Sequence, residues 1–188
     1  MSGRLFGDIN WHTAQQQITN SAIAEVDALD DATLMNPSLA GTLEKIAQRY
    51  ALRVPTLNET AKRGVRSEVE RRVDDYGRDT IVNVPVIDVH IPFDGSAEAF
   101  RISPSTSLLL SFSAEITDRE LIVTVYDNDR AQQEVDNIIK QIKQNLDHLR
   151  NDIAGLDLLG PLNRTAEARI AKIKAARDRD SKLDFPVS

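Results

Sequence analysis

The segment VPVIDVHIPFDGS, residues 84–96, decides the fold. Within it Ile87, Val89, Ile91 and Phe93 alternate with Asp88, His90 and Pro92, the two-residue period of a strand with one face buried. Asp94-Gly95-Ser96 then supplies turn chemistry. Downstream, Ala99 to Ile102 and Leu108 to Ser113 are expected to be short strands, separated by the turn Ser103-Pro104-Ser105. Leu121, Val123 and Val125 alternate in turn with Ile122, Thr124 and Tyr126. Strands joined by such short links pair with their neighbours, so residues 80–126 are predicted to form an antiparallel β-meander.

Working back from that stretch, residues 58–79 satisfy two periods at once. Val65, Val69 and Val73 are four apart, as on a helix, and all at odd positions, as on a strand carrying Glu70, Arg72 and Asp74 outward. Their β-branched side chains favour a strand around 68–75. Earlier still, Ile18, Ala22, Val26 and Leu29 recur at helical steps. Asn36-Pro37 interrupts that helix, and Ser38 is expected to cap a second one with Leu39, Leu43, Ile46 and Tyr50 on one stripe.

Beyond the sheet, Asp127 to Asp129 offers a helix start. Val135, Ile139, Ile142, Leu146, Leu149, Ile153 and Leu156 follow at alternating steps of four and three, a coiled-coil seam. Gly160-Pro161 is expected to break the helix. A return helix from about Asn163 would then carry Ala166, Ile170, Ile173 and Ala176. The fold class is therefore α+β: N-terminal helices, an antiparallel meander and a long C-terminal helical hairpin. The expected division is an α+β domain over 1–127 and a hairpin arm over 128–188.

Composition narrows the function. The chain has 188 residues, a formal net charge of −6 and no cysteine, which removes disulfides, zinc–thiolate sites and cysteine nucleophiles. Aliphatic runs such as Leu108 to Leu110 are far too short to span a membrane. The N-terminus lacks the apolar core of a signal peptide, so a cytoplasmic location is expected.

Catalytic templates fail on named absences. The eight glycines form neither a phosphate-cradling loop nor a Gly-x-Ser-x-Gly elbow. No lysine occurs between Lys62 and Lys140, which removes a two-carboxylate-plus-lysine nuclease from the sheet. The histidines, His12, His90 and His148, fall in three separate zones. Asp88, His90 and Asp94 could be drawn as a metal site, but an exposed polar strand face accounts for them more simply. No cofactor and no catalytic residue is assigned, and the chain is expected not to be an enzyme.

Two candidate contact surfaces remain. The first is the seam, Val135, Ile139, Ile142, Leu146, Leu149 and Ile153, available to a second copy if the return helix covers it thinly. The competing reading buries it against the chain's own sheet and return helix. The second is the basic return helix, where Arg164, Arg169, Lys172, Lys174, Arg177, Arg179 and Lys182 face only Glu167, Asp178 and Asp180. Such a strip suits nucleic-acid phosphates. Yet residues 1–128 hold twelve Lys and Arg against nineteen Asp and Glu, and no aromatic residue interleaves the strip, so a solvated helix face is the simpler account.

Several segments together resemble one family. His90-Ile91-Pro92-Phe93-Asp94-Gly95 resembles its "vPFtGd" turn, and Phe100 with Ser103-Pro104-Ser105-Thr106 resembles the "lF…PST" segment after it. The LLGPLN break at 158–163, the close on Leu183-Asp184-Phe185-Pro186, the Asn36-Pro37-Ser38-Leu39 segment and YALRVPTL at 50–57 fit the same pattern. The family is the N-terminal module of bacterial proteins that carry a variable C-terminal effector, such as a TIR-like or restriction-endonuclease-like domain. The resemblance implies a non-catalytic sensing, docking or oligomerisation unit of an anti-phage defence protein, with an NADase or nuclease expected beyond Ser188. Its motifs are structural, so it transfers no site residue. A homo-oligomer or a partner protein is expected, with nucleic acid as the alternative partner and an unrecognised metal-dependent hydrolase as the third reading.

Overall fold

The computed structural model of the protein describes residues 2–75, 78–106 and 113–181. The expected strand from Leu108, Tyr76, Lys182 and the Leu183–Pro186 segment lie outside them. The chain is mixed α+β and forms two compact units. One comprises Met1–Trp11 with Leu52–Ala154, the other His12–Ala51 with Gly155–Ser188. The 127/128 boundary read from the sequence falls inside the first unit, between its last strand and its helix.

In the first unit the strands are β1 (Ser2–Arg4), β2 (Ile9–Asn10), β3 (Thr56–Leu57), β4 (Arg63–Asp75), β5 (Arg78–Asp94), β6 (Ile102–Ser103), β7 (Ser113–Ile116) and β8 (Glu120–Tyr126). Six of them form one sheet in the order β1-β7-β8-β5-β3, with β4 also on β5, and every pairing in it is antiparallel. β8 lies between β5 and β7, so the order is not strictly sequential. The alternation reads through as expected. Val89, Ile91, Phe93, Leu121, Val123 and Val125 are buried together, while Asp88, His90, Ile122 and Thr124 take the opposite face. Where a strand was expected at Ala99 to Ile102, a 3-10 turn spans Ala97–Arg101 and β6 pairs parallel with β2. That turn inserts Phe100 edge-on between Phe93 and Phe6, with centroids at 4.9 and 6.2 Å. Gly95 is required at its turn. Its φ is 124°, and a Cβ there would lie 2.8 Å from the Pro55 Cα.

The long helix α4 (Ala131–Ala154) closes the inner face of this sheet, its Val135, Ile138, Ile139, Ile142 and Leu146 joining the strand residues in one cluster.

The second unit packs α1 (Trp11–Asp27), α2 (Asp31–Leu34), α3 (Leu39–Tyr50) and α5 (Leu159–Asp180). Ala22, Val26, Leu34, Leu43, Ile46, Leu162 and Ala166 form its core, with Leu39, Tyr50, Ile170 and Ile173 at the rim. Asp30 caps α2 by accepting the Thr33 amide at 2.6 Å, and that bond, with the Thr33 hydroxyl, holds its carboxyl below the usual range. Ser38 does not act as the expected cap. Its hydroxyl and amide both bond the Asn36 side chain, an Asx turn. Gly160-Pro161 does not break a helix either, because it lies in the first turn of α5. Proline is tolerated there since the first amides lack intrahelical partners, and the Asp157 carboxylate takes the Gly160 amide at 2.9 Å. The interruption falls at residues 155–158.

The apolar stripes of the two C-terminal helices thus belong to different cores, α4's to the sheet and α5's to the helical unit.

Candidate interaction surface

Most of the seam of α4, from Val135 to Leu146, is spent in the core of its own unit. Val135, Ile139, Ile142, Leu146 and Leu149 are buried, with Ile142 and Leu149 at 0% exposure, and Ile153 is half-buried. Ile138 and Asn145, outside the heptad positions, are buried as well, which makes the apolar face wider than a coiled-coil seam. A wide face is what packing against a sheet demands. Lys143 to Glu59 at 2.8 Å and Lys62 to Asp136 at 3.6 Å fasten the helix flank, and the bond to Glu59 raises the Lys143 ammonium above its ordinary value.

The basic helix α5 is divided in role. Arg169 is largely covered and donates to the backbone carbonyls of Val26, Asp27 and Leu29 at 3.0, 2.8 and 2.7 Å, with Asp31 at 3.7 Å. It satisfies acceptors that the end of α1 leaves open and places a cation at that helix's negative pole. Arg169 is a structural residue. Arg164, Lys172, Lys174 and Arg177 are exposed. At roughly 100° per residue they are spread around the axis, and Glu167 and Asp178 sit on the same side as Lys174.

On the outer sheet face the polar groups are mutually satisfied. Asp88 accepts from the Thr124 and Ser67 hydroxyls at 2.7 and 3.0 Å. Glu120 takes Arg63 at 2.9 Å and His90 at 3.1 Å. Asp94, opposite Thr56 on β3, faces Arg53 at 3.9 Å and joins neither Asp88 nor His90. Among the described residues no group of three or more His, Cys, Asp or Glu is placed to hold a metal ion.

A surface the sequence reading did not single out lies in β4 and β5. β5 pairs with β8 only from Val86 to Pro92, whereas β4 follows β5 from Arg78 to His90. Beyond Pro85 the two strands therefore continue as a bare ribbon, Glu68–Asp75 against Arg78–Pro85, about 27 Å long at ~3.4 Å per residue. Pro85 marks the departure. It has no amide to offer, and its carbonyl takes the Asp127 amide at 3.1 Å.

This ribbon gathers exposed apolar side chains. Ile81 at 62%, Val69 at 38% and Val82 at 37% lie on it and Val65 at 49% lies just before it on β4, four of the five large hydrophobics exposed among the described residues. Val65, Val69 and Val82 share the outer face with Val84, and Arg71 lies 5.0 Å over the Tyr126 ring beside them. Along its length β4 has β5 as its one strand partner among the described residues, which leaves a long edge open. Charged residues blunt that edge, but the apolar face remains.

Compared with known proteins, the chain matches no family model, no curated protein and no solved structure. Among the described residues no helix is long and apolar enough to cross a membrane.

Proposed function

We propose that this chain is a non-catalytic, self-associating interaction module of a cytoplasmic bacterial defence protein, regulating an effector attached or adjacent to it. The defence assignment rests on the segment resemblances at 36–39, 50–57, 90–106 and 158–163. Self-association rests on one observation, the bare β4–β5 ribbon with its open edge and exposed valines. A two-stranded ribbon is marginal in water by itself, and this one carries apolar surface that its own chain leaves exposed. Pairing with another molecule removes both costs. The basic face of α5 supports a nucleic-acid reading less well, because its best-placed cation is tied to α1.

Shortening the ribbon tests this reading. Replacing residues 68–85 by Asn-Gly, which closes a two-residue hairpin, is expected to leave the far-UV spectrum of the remaining fold intact. Light scattering is expected to fall from the mass of an assembly to that of one chain. An assembly of unchanged mass, or a chain that no longer folds, contradicts the proposal.

A further inference from the structure

We infer that the outer, valine-bearing face of the ribbon is covered by the same face of other copies, one edge-joined pair of ribbons lying over a second pair in a four-chain assembly; this rests on the interaction-module reading above. The apolar phase of the strands carries the inference. In the body of the sheet the apolar side chains of β5 are Ile87, Val89, Ile91 and Phe93, packed with α4 in one core. In the ribbon they are Val82 and Val84, followed by Val86 at its base, which is the other phase of the two-residue period and so the opposite face. β4 follows the switch. Val69 lies opposite Val84 on the outer face, while Glu68, Glu70 and Arg72 share the inner one with Ile81. Valines on one face and charges on the other pattern a strand pair for burial of its valine face, and α4 lies on the wrong side of the sheet to cover it.

Charge and area identify the cover. Over Val65–Arg71 on β4 and Val82–Val86 on β5 the outer face holds no carboxylate, and Arg71, its one charge, already lies over the Tyr126 ring of its own chain. Like laid on like therefore buries no unpaired acid. The ribbon is about 27 Å long and, at ~4.8 Å per strand, about 10 Å wide, roughly 270 Å² a face. One ribbon on another would bury about 540 Å² in total, the size of an incidental contact. Two ribbons side by side at their open edges double the face, and a second pair laid over them raises the total to about 1,100 Å², enough for a specific interface. Edge contact thus comes first and face contact follows, with the valines interdigitating as in packed sheets about 10 Å apart.

The test is sedimentation velocity on the full chain from about 1 to about 100 µM. The wild type is expected to pass from two chains to four as concentration rises. Val69→Lys with Val82→Lys sets two ammonium groups per copy into the face and is expected to weaken the four-chain step about a hundredfold or more, leaving the two-chain species. Val69→Thr with Val82→Thr keeps shape and strand propensity and is expected to weaken it about tenfold. Ile81→Lys alters a more exposed residue of the same strand on the opposite face and is expected to leave that step within about threefold. Circular dichroism melts check the fold of each variant, and the threonine pair carries the test if the lysine pair unfolds. A wild type that stops at two chains, a four-chain assembly indifferent to the substitutions at Val69 and Val82, or one lost equally with Ile81→Lys overturns this inference and leaves the module reading standing. A wild type that stays monomeric overturns both.

Discussion

Ile142→Asp is expected to abolish the cooperative folding of the sheet unit, not to dissociate an oligomer. Ile142 has no exposed surface and belongs to the cluster that includes Val89, Ile91, Leu121 and Val123. Removing a buried isoleucine side chain costs about 2–5 kcal/mol from lost burial and the cavity left behind. Seating a carboxylate there with no partner adds several kcal/mol more, or forces the acid to take up a proton. The sum approaches the whole stability of a domain, about 5–15 kcal/mol. Urea titration followed by circular dichroism and amide NMR dispersion measures it. Ile142→Val is the control and is expected to cost about 0.5–1.5 kcal/mol. A folded Ile142→Asp chain of reduced mass would instead mean that the α4 seam is a contact surface between molecules.

Arg169→Glu is expected to destabilise the helical unit strongly. Three carbonyl oxygens would lose the guanidinium, the Val26 one keeping only the Leu29 amide at 3.2 Å, and a carboxylate would sit against them and beside Asp31. Breaking a largely buried charged arrangement of this kind costs about 3–5 kcal/mol. Thermal unfolding monitored at 222 nm reads the loss. Arg164→Glu with Lys172→Glu alters exposed positions of the same helix and is expected to stay within about 0.5 kcal/mol of the parent. The contrast matters for any nucleic-acid experiment. A variant that includes Arg169 loses binding by losing its fold, so only the exposed pair tests the surface. An Arg169→Glu protein with an unchanged melting temperature would contradict the structural role.

The sequence shows how this division of roles arose and where it was hidden. Strand alternation over 87–93 and 121–125 was legible because one face of that sheet is buried and the other carries Asp88, His90 and Thr124. The spacing of Val135 to Leu149 identified a buried helix face, but periodicity says that a face is covered and not by what. From Val135 to Leu146 the cover is the chain's own sheet. Val65, Val69 and Val73 obey both the helical and the strand period, and an exposed ribbon has no buried face to break the tie. The length of the ribbon depends on where β8 stops following β5, a tertiary fact that no local pattern carries. Arg169 looked like its basic neighbours for the same reason, since the carbonyls it reaches belong to a helix some 140 residues away.

In the proposed self-association, contact between molecules runs through the ribbon edge and leaves the α4 seam alone. Hydrogen exchange at low and high protein concentration tests it most directly. Amides of residues 66–72 are expected to become more protected as concentration rises, while those of 135–149 are protected equally at both. Concentration-dependent protection confined to 135–149, with the β4 edge exchanging freely throughout, would contradict it.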